Sequence, residues 1–454
     1  MTTVTIHSAE AFTVEAVKAR AAEAGEPDFI AERRLKALAQ YLATPMPGRR
    51  DEMWRRVDLG NPNLEAAAVR APAEGLTELS TPSAEARARQ VFWGTPQQAF
   101  AALPEVMRQY WCTEVFSAED AASTPGDGRK FHSLNQALWD TGYVLHVPQG
   151  VEVELPSRAQ FSTRDGTDGV FPHNLIVLDE GAAATLVETY SSPRAGQRGL
   201  CCPQTEIILG RGARLRYVLL QSAGPEVVYI GAHRAHQYAE SKFSFISAHL
   251  GSRLEKAFLG TRLLAPQARA NLTGLYCGAG AQQVHLDTMQ HHIAPECSSD
   301  LLFKGAMDGH SRGVYRGMIR LEPAAQKTDA YLQDRTILLS GDARMDTIPG
   351  LEILANDVRC SHGATAGQID PAMLFYLMSR GLPRPVARRM ILDGFFEEVI
   401  QRFAFQPVIE ALRRQIEAKF VAPGGLIIPI APITPISFIS SSPGEARPHR
   451  DCGE

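Results

Sequence analysis

A cysteine and a histidine lie two residues apart in the stretch NDVRCSHGAT, at Cys360 and His362. Side chains at positions i and i+2 of an extended strand point to the same side, so an extended VRCSH segment would present the thiol and the imidazole together. Such a pair can bind a soft metal or act as nucleophile and base. The same pair also fits a buried cysteine and a structural histidine at a strand end, and the spacing alone does not decide between these interpretations.

The apolar pattern changes register just before this pair. Leu351, Ile353 and Ala355 predict that odd-numbered side chains point inward, whereas Val358 falls on the even side with the cysteine and the histidine. Either a bulge interrupts the strand near Asn356, or the even side is also buried there.

A second polar group lies in the stretch HLDTMQHHIAPEC, which contains His285, Asp287, His291, His292, Glu296 and Cys297. The adjacent histidines at 291 and 292 would point to opposite faces of a strand, so they cannot both serve one site unless the backbone bends. We interpret the group as strand histidines with local partners and a turn carboxylate.

Composition excludes several classes of protein. The formal net charge is −4, and without a basic excess there is no sign of nucleic-acid binding. The sequence has no run of eighteen apolar residues that would predict a membrane span. Phosphate-loop, dinucleotide and nucleophile-elbow motifs are missing, so we expect no bound nucleotide. Seven scattered cysteines without a C-x-x-C pair, and an N-terminus unlike a signal peptide, predict reduced thiols in a cytoplasmic protein.

The elements that must position these residues change along the chain. Residues 1–130 read as an N-terminal helical region that ends in a polar linker at 118–130. Residues 131–367 consist of short apolar segments of strand length, and their turns echo one another about every thirty residues. No long helical pattern separates these strands, which excludes a doubly wound α/β fold. A parallel β-helix fits the repeat, and a large β-sandwich remains the alternative.

The sequence becomes helical again after Gly367. Asp370 and Pro371 are a typical helix start, and Gly381 is a typical stop. Two further helical patterns follow, so residues 368–420 form a predicted C-terminal helical domain. Residues 421–454 contain repeated proline and serine, which predicts a flexible tail.

A polysaccharide-active β-helix enzyme would need paired carboxylates in an open groove. The nearest candidates are Glu152 with Glu154, and Asp329 with Asp334. Aromatic residues make up only 7% of the chain, and neither pair is accompanied by aromatic platforms for sugar rings. This class of function is therefore the weaker alternative.

A long segment resembles a known family. The stretch LEILANDVRCSHGATAGQIDPAMLFYLMSRGL, and the preceding FKGAMDGHSRGVYRGMIRLEPAAQKTDAYLQDRTILLSGDARMDTIPG, are similar to the SufB/SufD family of the SUF iron–sulfur cluster assembly system. The similarity continues in SLNQALWDTGYVLHVPQGVEVELP and HNLIVLDEGA, and it covers roughly residues 30 to 420. The CSHGATAGQID segment is most like SufD, and the chain lacks the N-terminal cysteine motif of SufB.

This resemblance implies a fold and a role. Family members have a right-handed parallel β-helix core flanked by N-terminal and C-terminal α-helical domains. SufD pairs with SufB through the β-helices, and each binds the ATPase SufC through its C-terminal helices. The chain would then be a non-catalytic scaffold subunit of a SufBCD complex, with ATPase activity in SufC. A SufB-like scaffold is the alternative within the family, and the isolated chain is expected to be able to form a homodimer.

The resemblance also implies which residues act. His362 matches a histidine that helps to bind iron or a transient iron–sulfur cluster at the SufB interface, and Cys360 is its neighbour. The apolar residues Phe395, Phe396 and Val399 of the C-terminal helices are the predicted contacts with SufC.

Overall fold

The computed structural model describes residues 12–60, 76–113, 115–116, 128–163, 169–192 and 198–421. Beyond Val421, the predicted tail lies outside the described residues, and so does most of the predicted linker. Within these ranges, no helix combines the length and the apolar character needed to cross a membrane.

Helices lie at both ends of the described chain and strands lie between them. The helices are α1 (Val14–Glu23), α2 (Asp28–Ala43), α3 (Ala84–Ala88), α4 (Pro96–Ala102), α5 (Pro104–Tyr110), α6 (Arg129–Leu138), α7 (Pro371–Ser379), α8 (Arg384–Ile400) and α9 (Gln406–Val421). The early strands are β1 (Leu76–Leu79), β2 (Phe92–Gly94), β3 (Val144–Val147), β4 (Ser157–Ser162), β5 (Gly169–Val170), β6 (His173–Leu178), β7 (Ala183–Ser191), β8 (Arg198–Cys201), β9 (Gln204–Leu209) and β10 (Arg214–Ser222). The later strands are β11 (Glu226–Gln237), β12 (Lys242–His249), β13 (Leu254–Leu263), β14 (Arg269–Gly278), β15 (Gln283–His292), β16 (Ser298–Met307), β17 (Arg312–Leu321), β18 (Asp329–Leu338), β19 (Arg344–Ile353) and β20 (Arg359–Gln368).

The strands form a parallel β-solenoid with two facing sheets. One sheet has the order β1-β4-β7-β10-β12-β14-β16-β18-β20, and the main path of the other is β19-β17-β15-β13-β11-β9-β6-β3-β2. Successive coils add strands to each sheet, and among the strands that the structure describes, the short β1 and β2 alone pair antiparallel. Neighbouring strands of the first sheet are offset by 27 residues (Lys242 to Arg269) to 31 residues (Ser298 to Asp329). The predicted parallel β-helix between helical ends is confirmed, and the β-sandwich alternative is wrong.

Both faces of most strands are buried, and this explains why the central segments read as nearly continuous apolar runs. Side chains that point into the solenoid lumen pack into one long core, which includes Leu215, Tyr217 and Leu219. The N-terminal helices cover the outer face of the second sheet. The helices α8 and α9 cover the outer face of the first sheet, where Phe396 and Leu412 pack against strand residues such as Val218.

Glycine and aromatic residues of two neighbouring strands face each other in the lumen and fit closely together. Gly274 of β14 lies opposite Phe303 of β16, and Tyr276 of β14 lies opposite Gly305 of β16. A Cβ atom at either glycine would overlap the facing ring. The absence of a side chain at each glycine therefore makes the space for an aromatic ring of the next coil.

The helix boundaries agree with the local sequence signals in some places and not in others. The Asp370 carboxylate accepts a hydrogen bond from the Ala372 N–H, with Pro371 in the first turn of α7, and Gly381 adopts a φ of +91° after it, as predicted. In contrast, α6 occupies residues that were assigned to the end of the linker and the start of the strands. Its buried residues Phe131, Leu134 and Leu138 join the core beneath the N-terminal helices.

Candidate functional site

The predicted pair of Cys360 and His362 lies on β20, the last strand of its sheet in the described chain. Cys360 is in register with Ala330 of β18, and His362 with Leu332. Both β18 residues are buried in the lumen core. The thiol and the imidazole therefore share the lumen-facing side of the strand, as the i, i+2 spacing predicted.

The change of register before this pair is a corner between the two sheets. The chain leaves β19 at Ile353 and enters β20 of the opposite sheet at Arg359, so no bulge within one strand is involved. Leu351 and Ile353 are in register with the buried residues Ile319 and Leu321, and yet they are 37% and 40% exposed. They face the lumen, as predicted, but no later coil among the described residues covers them.

Cys360 and His362 have different surroundings at this open end. Cys360 is half-buried against the lumen core. Burial, with a smaller contribution from Asp329, raises the pKa of its thiol to about 11. His362 is exposed. Among the described residues, no third cysteine, histidine or carboxylate completes a metal-binding group with these two.

The C-terminal helices are fixed to the solenoid by their buried side. Phe396 and Val399 are fully buried against the first sheet, and Phe395 is partly buried beside them. The Lys304 ammonium contacts the Glu398 carboxylate at 2.7 Å, donates to the Phe395 carbonyl at 2.9 Å and lies 5.1 Å from the Phe395 ring centroid. Phe396 and Val399, the predicted contacts with SufC, are therefore covered by this chain's own solenoid in the structure.

The exposed apolar surface of this domain lies elsewhere, on α7 and on the first half of α8. The helix α7 has no buried residue. Phe375 is 72% exposed and Tyr376 is 57% exposed. We call this surface the α7–α8 surface, and its members are Met373, Phe375, Tyr376, Met378, Val386 and Met390.

The two carboxylate pairs of the polysaccharide alternative lie in different surroundings. Asp334 is buried in the lumen and accepts a hydrogen bond from the Tyr276 hydroxyl at 2.8 Å, whereas Asp329 is exposed. Asp329 and Asp334 therefore do not face one groove. Glu152 and Glu154 both line an open surface pocket, where Arg214 holds Glu152 in an ion pair.

Several polar side chains of β15 have partners on neighbouring coils, whereas the buried Nε2 atom of His285 has no hydrogen-bond partner among the described residues. His291 contacts the Glu322 carboxylate at 2.8 Å, and His292 contacts the Ser299 hydroxyl at 2.8 Å. Asp287 pairs with the ammonium of Lys256 and the guanidinium of Arg316. This agrees with the structural interpretation of the stretch.

One group of potential ligands was missed by the sequence analysis. Cys112, just after α5, lies against His173 of β6 and Glu206 of β9, with their ligand atoms within 4.8 Å of one another. Burial, and to a smaller extent the nearby Glu206, raises the pKa of the Cys112 thiol well above its ordinary value. Cys112 and His173 are 61 positions apart and His173 and Glu206 are 33 apart, so no short motif could reveal the group. The one available signal was the separation of His173 and Glu206, which is roughly one coil.

Comparison with known proteins supports the resemblance. The family model for the SUF system FeS cluster assembly, SufBD core domain, matches residues 161–395. An iron–sulfur cluster assembly SufBD family protein of Staphylococcus saprophyticus is 25% identical over 421 residues, which cover 86% of this chain and 89% of the relative. A protein of the same description from Staphylococcus epidermidis gives the same identity and coverage. One from Staphylococcus aureus is 27% identical over 300 residues, or 66% of this chain and 64% of the relative.

Proposed function

Because the chain belongs to the SufBD family of the SUF iron–sulfur cluster assembly system, we propose that it is a non-catalytic, SufD-like scaffold subunit. In this role it pairs with SufB, binds the ATPase SufC and presents ligands to iron or a nascent cluster, which is cargo rather than a resident cofactor. ATP hydrolysis belongs to SufC, and this chain binds no nucleotide.

The observation that carries this proposal is the incomplete pair of ligands at the open end. Cys360 and His362 share one side of an edge strand, and His362 is exposed there. Two donors do not fill the coordination sphere of iron, and in this proposal a second chain supplies the remaining protein ligands. A mixed set of imidazole and thiolate ligands suits transient binding, because ligand type tunes the properties of the cluster.

The same end of the solenoid is suited to pairing with SufB. Both sheets end in strands, β19 and β20, that have no further neighbour among the described residues. An edge strand offers unpaired backbone groups to another chain. The exposed Leu351, Ile353 and Leu354 add apolar contact area beside that edge. When SufB is absent, a second copy of this chain is the alternative partner, which gives a homodimer.

We assign SufC binding to the α7–α8 surface rather than to the buried Phe396 and Val399. Aromatic side chains and methionine are enriched at protein interfaces, and several are exposed together here. Phe395, Phe396 and Val399 keep an indirect role, because they fix α8 to the solenoid. A shift of these helices on SufC binding would reach the solenoid through that contact.

Co-expression tests the assignment. This chain would be produced with a SufB and a SufC from the same genome, each with a different tag, and the complex would be analysed for stoichiometry, iron and sulfide. We expect one copy each of this chain and of SufB, with SufC bound to both and cluster present. Failure to co-purify with SufB would contradict the SufD-like role, and self-association with full cluster content would favour a SufB-like one.

A further inference from the structure

We propose that Cys112, His173 and Glu206 form a second metal site, for a divalent cation of borderline softness such as zinc or ferrous iron, at the junction of the N-terminal helices and the solenoid. The Cys112 Sγ atom lies 3.3 Å from His173 Nε2, and His173 Nε2 lies 2.7 Å from Glu206 Oε1. Thiolate, imidazole and carboxylate are the three side-chain ligand types of zinc.

The hydrogen bond on the far side of the imidazole fixes which nitrogen faces the site. The Asn135 amide nitrogen donates to the carbonyls of Pro172 and Cys202, at 2.8 and 2.7 Å. The Asn135 oxygen is thereby directed at His173 Nδ1, 2.7 Å away, and must accept from it. In the neutral ring the lone pair of Nε2 then faces the Glu206 carboxylate.

Two lone pairs at that distance repel each other unless a positive charge lies between them. Either a proton makes an imidazolium–carboxylate pair, or a cation binds both atoms. An outer hydrogen bond that orients a histidine is the arrangement common to metal-binding histidines. The Cys112 sulfur beside Nε2 favours the cation, because an imidazolium–glutamate pair has no need of a thiol.

Glu206 supplies the second, independent observation. Its Oε1 atom accepts a hydrogen bond from the Cys112 backbone N–H at 2.7 Å. Its Oε2 atom is buried and has no hydrogen-bond partner among the described residues, which is costly for a carboxylate. Bidentate binding by Glu206 would satisfy Oε2 and bring the donor set to four atoms.

Metal binding requires a small opening of the site. Two ligands on a tetrahedral zinc lie roughly 3.3 Å apart, so Nε2 and Oε1 must separate by about half an ångström. Cys112 lies in a turn with a φ of +55° after α5, and it is partly exposed. It therefore gives the cation a route to the fully buried His173 and Glu206.

The proposed metal would fasten the N-terminal helical region to the first coils of the solenoid. Cys112 comes from the helical region, and the other two ligands come from neighbouring coils. Five strand spacings separate β9 from β19, or roughly 24 Å. The site is thus separate from Cys360 and His362 and would be structural. Its presence does not depend on the proposed scaffold function.

Cobalt is the probe for this site. The full chain, with a tag that contains no histidine, would be expressed in zinc-depleted medium with added cobalt. We expect about one cobalt ion per chain and a near-ultraviolet thiolate-to-cobalt charge-transfer band. In Cys112→Ser the band should disappear, and the affinity measured against a competing chelator should fall by more than the roughly 10- to 100-fold that outer-sphere changes cause.

Three matched variants make the result specific. Cys297→Ser removes a different buried cysteine, whose thiol donates only to backbone carbonyls, and should keep the band. Cys360→Ser should also keep it, which separates this site from the open end. Glu206→Gln can still accept the Cys112 N–H, and it should retain the fold while losing affinity.

Chelation provides a readout that is independent of cobalt. Removal of metal should lower the melting temperature of the wild type and of Cys297→Ser, but not that of Cys112→Ser, because only a metal bound to the folded state stabilises it. Survival of the band in Cys112→Ser would overturn the proposal. So would wild-type protein that carries no more cobalt or zinc than Cys112→Ser, which would identify the group as a buried imidazolium–glutamate pair.

Discussion

Two residues on one strand have different chemistry at the open end of the solenoid. The His362 imidazole is exposed. The Cys360 thiol is half-buried with a raised pKa, so a metal must displace its proton before sulfur can bind. If the proposed iron-binding role holds, the exposed His362 is the more accessible of the two side chains to iron at a partner interface.

Replacement of His362 by alanine tests this order of importance. We expect the co-expressed complex to assemble, because an exposed side chain contributes little packing, while its cluster content falls several-fold through loss of a ligand. Cys360→Ser should have a milder effect. The measurement is absorbance together with iron and sulfide analysis of the purified complex.

The control for this prediction is His310→Ala, which removes another exposed histidine, from the turn before β17. It should leave the cluster content unchanged. If the His362→Ala complex assembles with wild-type cluster content, the proposed role of His362 as a ligand is wrong.

Among the elements, α7 has properties that the described part of its chain does not explain. It begins with a capping aspartate and a proline, has no buried residue and still consists mainly of apolar side chains. A helix with that composition is normally buried against another surface. Among the residues that the structure describes, nothing covers Phe375 and Tyr376 to that extent.

A charged residue introduced on the exposed apolar side of α7 should weaken binding of the proposed ATPase partner, SufC. Phe375→Asp is expected to weaken SufC binding by about 2 kcal/mol or more, as the loss of an anchoring aromatic residue does, without change in SufB pairing. Titration of SufC with the purified chain measures this loss. Leu155→Asp makes the same change at an exposed leucine of the solenoid, and it should bind SufC normally. Equal affinity of both variants would exclude α7 from the interface.

The edge of β20 gives a separate prediction for SufB. The Arg359 N–H bonds to the Thr328 carbonyl, so alternation directs the N–H groups of Cys360, His362 and Ala364 away from β18. Ala364→Pro removes one of these outward donors and leaves the bonds to β18 in place. We expect it to weaken pairing with SufB in a pull-down.

Ala364→Val is the matched variant, because it adds a side chain and keeps the N–H. It should pair nearly as well as the wild type. If proline is tolerated as well as valine, the two chains do not join through backbone bonds at this strand.

The sequence predicts helix boundaries correctly where the residues that determine them lie within a few positions of the boundary. The start and end of α7 follow from Asp370, Pro371 and Gly381, which act within a few residues. It did not predict that the chain's own first sheet covers Phe396 and Val399, because a helix with several apolar faces does not reveal which face its own chain will cover. It also missed α6, whose apolar residues are buried only by contact with the N-terminal core.

At the scale of the whole molecule, the solenoid lumen holds acidic groups as well as apolar ones. Glu188 accepts hydrogen bonds from the hydroxyls of Tyr143, Tyr190 and Tyr217. Burial raises its pKa, and those hydrogen bonds oppose the rise. Burial raises the pKa of Asp334 from its ordinary 3.8 to about 7, against a hydrogen bond from Tyr276. Folding is therefore linked to proton uptake in the core.

Asp334 gives this linkage a measurable sign. Its folded-state pKa is raised, so the folded protein holds the proton more tightly, and the stabilisation is lost as pH rises from about 4 to about 7. The group contributes a slope of at most about 1.4 kcal/mol per pH unit in that window. Asp334→Asn should remove this contribution, as measured by denaturant unfolding at several pH values. A pH dependence identical to that of the wild type would show that Asp334 titrates normally.

The coil repeat was accessible from the sequence because turns recur at nearly constant separation, but the register between coils was not. That register decides the surroundings of Asp334 and brings His173 and Glu206 together. Cys112 lies outside the repeat. Its position beside His173 and Glu206 depends on how the helical region packs on the solenoid, and the sequence does not show this packing. The position of Cys360 and His362 at an open end likewise depends on where the stack of coils stops.

The facing glycines and rings of β14 and β16 bear on how such a rod can change during evolution. A repeat protein is usually expected to gain or lose units freely, since each unit resembles the next. Here the ring of Phe303 fits only against a residue without a Cβ atom, which Gly274 provides, and the ring of Tyr276 likewise requires Gly305. Excision or duplication of a single coil would set mismatched partners face to face. The length of the rod, and with it the distance between its two ends, is therefore held constant by the order of its parts.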